Sequence, residues 1–372
     1  MSRVYLDDAG SAPPLPEVTA ALDRVPMGNP SSPHTEGREA RAALDRARDL
    51  AASALVADRT EVTFVSSGTE AVNLGLIGVA KRLNKRGVIV TWAAEHQSVL
   101  AAVRSLQSDG HAVEIAPVDR DAHADPDSIP HGAVLVSIGL ANNEVGTIQP
   151  VAGVIERAHD LGALVHLDAC TGPRWIPIPA GADLVSISGH KLGAGRGGLL
   201  LVKDGVKLDP LFLGGPQEWG RRSGREDVAC AIALATALAT CKREREQRSE
   251  VAAAHSSRLR EALADVGAEL TGADRRLPNF ATCVFDGRRG EDLLLSLDLA
   301  GVAASSGSAC ASGSLDPSHV LVAMGLSLEQ ALGSLRLTTG YATTSDDIAQ
   351  AGGIIRSALA TGRRQATARG SR

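Results

Sequence analysis

Residues 163–191, ALVHLDACTGPRWIPIPAGADLVSISGHK, contain two short, largely apolar runs, Ala163–Leu167 and Ala182–Ile187, each breaking into polar residues at its carboxyl end. Asp168 closes the first run, and Ser188-Gly189-His190-Lys191 follows the second. Runs of this length and composition predict strands buried on both faces, as in a parallel sheet. Such sheets place their ligands just beyond the carboxyl ends of the strands. Asp168 and Lys191, 23 residues apart, are therefore expected together at a ligand site.

The same rhythm extends in both directions. Strands are predicted at Val62–Val65, Gly87–Thr91, His111–Ala116 and Ala133–Ile138, with helical stretches between most of them. Arg38–Leu55 carries Ala and Leu at helical spacing, and a second helix is expected from Ala71. A βαβα order implies a mostly parallel sheet covered by helices on both faces. Leu199–Val202 follows a glycine-rich turn and reads as a hairpin partner of the strand before it. That turn, Gly193 to Gly198, fits the GxGxxG pattern, but it leads into a strand, whereas a dinucleotide site needs a helix there. A long Ala-rich helix is predicted over Asp227–Val266, strands at Asn279–Phe285 and Ala300–Ala304, and helices at Ser318–Met324 and Leu328–Leu335. The expected division is a large domain over 15–250, with a smaller one formed by 1–14 and 251–372.

Composition narrows the function. With 38 Lys and Arg against 43 Asp and Glu, the net charge of −5 gives no general attraction to nucleic acid or anionic membrane. Aromatic residues are only 2% of the chain, so the core must be aliphatic. Five cysteines, none in a CxxC pair, argue against a disulfide framework and a zinc cluster, and no metal site is expected. No apolar run reaches the length of a membrane span. The N-terminus lacks a signal-peptide core. A soluble, cytoplasmic protein is the expectation.

Several residues carry possible chemistry. A lysine and an aspartate on neighbouring strand ends suit pyridoxal phosphate, the lysine bonding the aldehyde and the aspartate holding the pyridine nitrogen protonated. A surface lysine and a helix-capping aspartate would fit the two residues equally well. Gly68-Thr69 at a helix start offers amide groups and a hydroxyl to a phosphate, or is an ordinary cap. His96 could stack on a cofactor ring and exchange protons, or simply open a helix. Cys310 lies in Ser305-Ser306-Gly307-Ser308-Ala309-Cys310, which is too small and polar to pack a core, and so reads as a mobile thiolate nucleophile. Cys230, Cys241 and Cys283 sit in apolar contexts and read as packing residues. Cys170 reads as packing too, although it could line the site. Arg336, flanked by Leu335 and Leu337, needs a partner, and a substrate carboxylate is a natural one.

Taken together and in order, these segments resemble the cysteine desulfurases of class V aminotransferase type, in the branch of the nitrogen-fixation and iron–sulfur-cluster desulfurases. The likeness runs nearly end to end through Tyr5-Leu6-Asp7, Gly28-Asn29-Pro30, Ser67-Gly68-Thr69-Glu70, Glu95-His96, Asn142-Asn143-Glu144-Val145-Gly146, Asp168-Ala169, Ser188-Gly189-His190-Lys191, Arg222-Ser223-Gly224, Ser306-Gly307-Ser308-Ala309-Cys310 and Leu335-Arg336. The resemblance implies the α/β pyridoxal-phosphate fold type I, with a mostly parallel sheet of seven-stranded type, a smaller α+β domain, and a homodimer. It makes Lys191 the Schiff-base lysine, Asp168 the pyridine-nitrogen partner and His96 the ring-stacking acid/base. Gly68, Thr69, Ser188 and His190 would hold the phosphate, and Asn143 would contact cofactor and substrate. Arg336 would clamp the carboxylate of L-cysteine, and Cys310 would take the sulfur as a persulfide and pass it to an acceptor protein, a scaffold or a thiolation enzyme.

The chain departs from the family at three places. Thr171 stands where the family has a glutamine donating to the cofactor's phenolic oxygen. Arg225 replaces a threonine that reaches the phosphate held by the other subunit, and an arginine can still pair with it. Asp8-Ala9-Gly10-Ser11-Ala12 replaces the usual Ala-Thr-Thr texture. A selenocysteine lyase or cysteine C–S lyase would share Lys191 and Asp168 without needing a persulfide on Cys310. A degenerate assembly subunit would need neither.

Overall fold

The structure, a computed structural model, describes residues 3–83, 85–307 and 317–360. Cys310, and with it the expected mobile loop, lies outside the described residues. The strands in chain order are β1 (Val4–Tyr5), β2 (Val62–Val65), β3 (Val88–Trp92), β4 (Ala112–Ala116), β5 (Ala133–Gly139), β6 (Leu164–Asp168), β7 (Leu184–Ser188), β8 (Gly198–Val202), β9 (Glu269–Leu270), β10 (Phe280–Val284), β11 (Val302–Ala303) and β12 (Ser334–Thr338).

Strands β2 to β8 form a seven-stranded sheet in the order β2-β8-β7-β6-β5-β3-β4. Five neighbouring strands, β7, β6, β5, β3 and β4, run parallel, as their near-continuous apolar sequences predict. β8 is antiparallel to both β7 and β2, so it is the hairpin partner expected of Leu199–Val202. β2 therefore points the same way as β7. The carboxyl ends of β2, β3, β5, β6 and β7 all open on one edge of the sheet. The Gly193–Gly198 run ends a single helical turn, Gly189–Leu192, and enters β8, a context that offers no dinucleotide seat.

Apolar clusters cover both faces of this sheet. Alanine dominates the helix contacts, which keeps the helices close to the strands where aromatic residues are scarce. A third cluster, built on β10 and β12 with Leu293, Leu297 and Ile355, forms the smaller unit, and β1 joins it by pairing with β11. The 38-residue helix Val228–Asp265 is rooted at one end in the first cluster, through Ala231, Leu234 and Leu238, and at the other in the third, through Leu259 and Leu263. No helix among the described residues is long and apolar enough to cross a membrane.

One expectation is corrected. The helix predicted over Leu328–Leu335 ends at Leu332, and Gly333 stops it. Ser334–Thr338 is instead β12, antiparallel to β10 and buried at every position. Leu335, three residues after Leu332, continues the helical spacing, whereas Leu335 and Leu337, two apart, keep strand spacing, and pairing with β10 decides.

Next to β2, the segment that follows the large sheet is pinned by a buried ion pair. Arg48 donates to Glu218 at 2.8 and 2.7 Å, and Glu218 also accepts from the Phe64 amide at 2.9 Å. The guanidinium lies over Phe64 and Trp219, 5.0 and 5.4 Å from the ring centroids. Glu218 and Trp219 both have positive φ, at 48° and 62°, a strained pair held by these contacts. Just downstream, Arg222 pairs at 3.1 Å with Glu70, in the first turn of the helix Gly68–Leu83. Glu218→Ala would leave the Arg48 charge buried and alone, so it is expected to destabilise the fold by about 3–5 kcal/mol, read by denaturant unfolding.

Candidate active site

The edge where the strand ends converge carries a cavity of about 290 Å³. Each neighbouring strand contributes to its wall: Glu95 and His96 beyond β3, Asn142 and Asn143 beyond β5, Asp168 ending β6, and Ser188, His190 and Lys191 at the end of β7. Gly68 and Thr69 enter from the helix after β2, and Arg336 from β12 of the smaller unit. The segment that decided the fold also supplies its floor.

Lys191 donates from Nζ to Thr171 Oγ1 at 3.0 Å. Asp168 is buried, and its Oδ1 accepts the Cys170 amide at 2.9 Å. Ser188 and His190 join through Oγ and Nδ1 at 2.8 Å. Burial, followed by the Lys191 charge, lowers the His190 pKa. His96 caps the helix Gln97–Ser108, its Nδ1 accepting the Ser98 amide at 3.1 Å. Burial, then the Lys191 charge, holds its pKa below the ordinary value, with Asp168 opposing. The ring is therefore neutral near pH 7, with its hydrogen on Nε2. Arg336 is 3% exposed and donates from one terminal nitrogen to the Asn143 carbonyl at 2.7 Å and from the other to Asp7 at 2.9 Å. Its Nε is buried with no partner among the described residues.

Arg225 is exposed and does not line this cavity. It borders a separate groove with Arg196 and Arg222. Cys230, Cys241 and Cys283 are buried packing residues, as expected. Cys170 does more than pack: its thiol forms part of the cavity wall. Burial, then the Asp168 charge, raises its pKa well above the usual thiol value, so it is not a thiolate at neutral pH.

Sequence reasoning did not single out Glu95. It is 8% exposed, lines the cavity, and accepts the Gly139 amide at 2.9 Å. Burial, with the Asp168 carboxylate adding to it, pushes its pKa up to about 8. Its neighbour His96 gave the only signal, since a charged residue in a polar stretch reads as exposed.

The donor set fits pyridoxal phosphate. The buried Asp168 carboxylate would suit a pyridinium nitrogen, the Lys191 amine an aldehyde, and the helix start at Gly68 with Ser188 and His190 a phosphate. A side chain at position 68 would fill the cradle, since its Cβ would lie 2.6 Å from Cys170 Sγ and 2.8 Å from Ser188 Cβ.

This is the fold and lysine–aspartate site of a fold type I pyridoxal-phosphate enzyme. Residues 4–350 match the aminotransferase class-V family, and the chain belongs to it. It is 39% identical over 363 residues to the cysteine desulfurase IscS of Dictyoglomus turgidum, covering 93% of this chain and 92% of that protein. The solved structure of a NifS-like protein superposes with a TM-score of 0.90 at 30% identity, covering 96% of this chain and all of the other. A structure of SspA in complex with cysteine is similar at a TM-score of 0.78 and 27% identity, covering 92% of this chain and all of that one.

Two outcomes follow. Gly68→Ala is expected to release pyridoxal phosphate during dialysis and, because the added methyl crowds Cys170 and Ser188, to lower the stability of the cofactor-free protein by about 1–3 kcal/mol, read by urea unfolding. Glu95 binds its proton more tightly folded than unfolded, so its share of stability is complete below about pH 4 and is lost as the pH rises through about 8. Glu95→Gln is expected to flatten the fall in stability across that window, measured by urea unfolding at a series of pH values.

Proposed function

We propose that this protein is a cysteine desulfurase that converts L-cysteine to L-alanine and transfers the sulfur, through Cys310, to an acceptor protein. The observation that carries the reading is the meeting of Lys191, Asp168 and Arg336 on one cavity. The end-to-end similarity to a cysteine desulfurase supports it.

Bound pyridoxal phosphate supplies an aldehyde for the substrate's amino group and an electron-withdrawing ring that acidifies its α-carbon. Gly68, Thr69, Ser188 and His190 would hold its phosphate, and Asp168 would pair with its ring nitrogen. Arg336 binds the substrate carboxylate and fixes which bonds face the ring. The Lys191 amine takes the α-proton, and Asn143, beside Arg336, orients substrate. His96 lines the same cavity, and takes up a proton at Nδ1 only by releasing the Ser98 amide. Thr171 keeps the Lys191 amine in place with a single hydroxyl. The Cys310 thiolate attacks the substrate sulfur: a sulfur–sulfur bond forms, the carbon–sulfur bond breaks, and its electron pair stays on carbon, which protons convert to alanine. The net change is one cysteine thiol and one L-cysteine giving one persulfide and one L-alanine.

Cysteine chemistry within the fold supports Cys310 in this role. Burial raises the Cys230 and Cys241 thiols to about 11 and the Cys283 thiol further, so none of them ionises at neutral pH. We also read the protein as a cytoplasmic homodimer, divided near residue 250, with Arg225 reaching the partner's phosphate site and an iron–sulfur scaffold or thiolation enzyme as acceptor. The placement of Arg225 outside its own cavity, in a groove with two further arginines, supports that use.

Cys310→Ala is expected to retain pyridoxal phosphate and bind L-cysteine, yet to lose protein persulfide by mass spectrometry and to release alanine at least about 100-fold more slowly. Cys170→Ala should keep its persulfide. Alanine release by Cys310→Ala at the parent rate would point instead to a lyase.

A further inference from the structure

His96 stands on the turn between β3 and the helix Gln97–Ser108, and that turn is held from two directions. From the large sheet, Asn142, beyond β5, donates its side-chain amide to the Ala94 carbonyl at 2.9 Å. Asn142 Oδ1 is itself fixed, accepting the Glu144 and Val145 amides at 2.8 and 3.0 Å. From the other direction comes His319, the first residue of the short helix His319–Ala323. Its Nε2 lies 2.9 Å from the Glu95 carbonyl, and its Nδ1 lies 3.0 Å from the Gln97 side-chain amide. A carbonyl only accepts, so Nε2 carries the hydrogen and Nδ1 takes one from Gln97. One imidazole thus grips the residues immediately before and after His96.

That grip has its own footing. Ser318, the cap of the same helix, donates from Oγ to the buried Glu144 carboxylate and accepts the Leu321 amide at 3.1 Å. Glu144 also stands 3.9 Å from His319 Nδ1, beyond hydrogen-bond reach. Val320 and Leu321 are buried in one apolar cluster with Ala94, Val145 and Val284, which seats the helix without help from His319. Neither Gln97 nor His319 lines the catalytic cavity, so their contacts reach it only through the turn. The contacts of His96 itself, from Nδ1 to the Ser98 amide and hydroxyl at 3.1 and 2.7 Å, fix the ring on its own helix. Where the start of that helix stands in the cavity is a separate matter, and His319 answers it.

We propose that His319 is a positioning residue for His96: its hydrogen bonds to Glu95 and Gln97 set where the turn stands, and so where the His96 imidazole meets the cofactor. The assignment rests on the role of His96 proposed above and adds a residue that touches neither cofactor nor substrate. Precise placement matters here, since shifting a catalytic group by about 1 Å can slow a reaction by about 100-fold.

The test compares four pyridoxal-phosphate holoenzymes: the parent, His319→Ala, His96→Ala and the double variant. The cofactor is achiral, so its visible circular dichroism reports only the asymmetry of the groups packed around it. His319→Ala is expected to weaken that band and to slow L-cysteine turnover about tenfold, with KM within about twofold of the parent. The double variant is expected to match His96→Ala in both readouts, because His319 acts only through that imidazole. His319→Gln, whose amide can still donate to the Glu95 carbonyl, is expected to recover most of the lost band. A parent-like band and rate in His319→Ala overturn the assignment. An undiminished further loss on adding His319→Ala to His96→Ala also overturns it, and moves the effect to the chain that leads back to Cys310. If the parent holoenzyme turns over no L-cysteine, the proposed function fails on its own, and the circular dichroism of the four proteins still decides the His319 assignment.

Discussion

A carboxylate buried at the end of a β-strand is tolerable only where neighbouring groups answer its charge, and the site is organised around that constraint at Asp168. The Cys170 amide donates to it from the turn that follows β6. Glu95, the nearest competing acid, is pushed toward its neutral form by burial and by Asp168 itself. His166 lies two residues back on the same strand, between Ser137 Oγ at 2.9 Å and Ser186 Oγ at 2.7 Å. Burial lowers its pKa to about 4, so it is neutral and adds no charge. These two serines stand on β5 and β7, so a polar crosspiece ties three strands together beneath the site. The Asp168 carboxylate at the floor, with Lys191 and Arg336 on the walls, then sets the charge pattern of the cavity.

Sequence pattern was sufficient for the parts of this arrangement that depend on local periodicity. Short apolar runs ending in Asp168 and in Ser188–Lys191 identified both strands and their functional ends. The glycine run before Leu199 was legible as a hairpin because a strand pattern followed it. Arg336 was recognised as a buried charge from its two leucine neighbours, but its secondary structure was not. Leu332 and Leu335 keep a helical spacing of three across Gly333, the strand spacing of Leu335 and Leu337 is only two residues long, and the pairing partner β10 lies some fifty residues away in the chain. Glu95 and the Asp7–Arg336 contact were invisible for a related reason. Both depend on elements that meet only after the chain has closed, and nothing local distinguishes a buried acid from a solvated one.

The same argument explains the composition. Close helix–sheet approach favours alanine, and the helices over this sheet are rich in it. Glycine appears where a backbone must pass near a functional side chain, as at Gly68 and Gly10. The arginines do the bridging that aromatics perform elsewhere: Arg174 sits 4.0 Å from the centre of the Tyr341 ring and carries Asp8, as Arg48 sits on Phe64 and carries Glu218.

Scarce aromatics also give the molecule an optical simplicity. It has three tryptophans, and they occupy different environments. Trp219 lies in the Arg48 cage, and Trp175 meets Tyr341 edge-on with centroids 5.1 Å apart. Trp92, fully buried at the end of β3, lines the cavity itself and donates to Ser128 at 3.2 Å. Of the three indoles, only Trp92 belongs to the wall around the cofactor. Its ultraviolet emission therefore reports the contents of that cavity from inside the protein, with no dye or label attached.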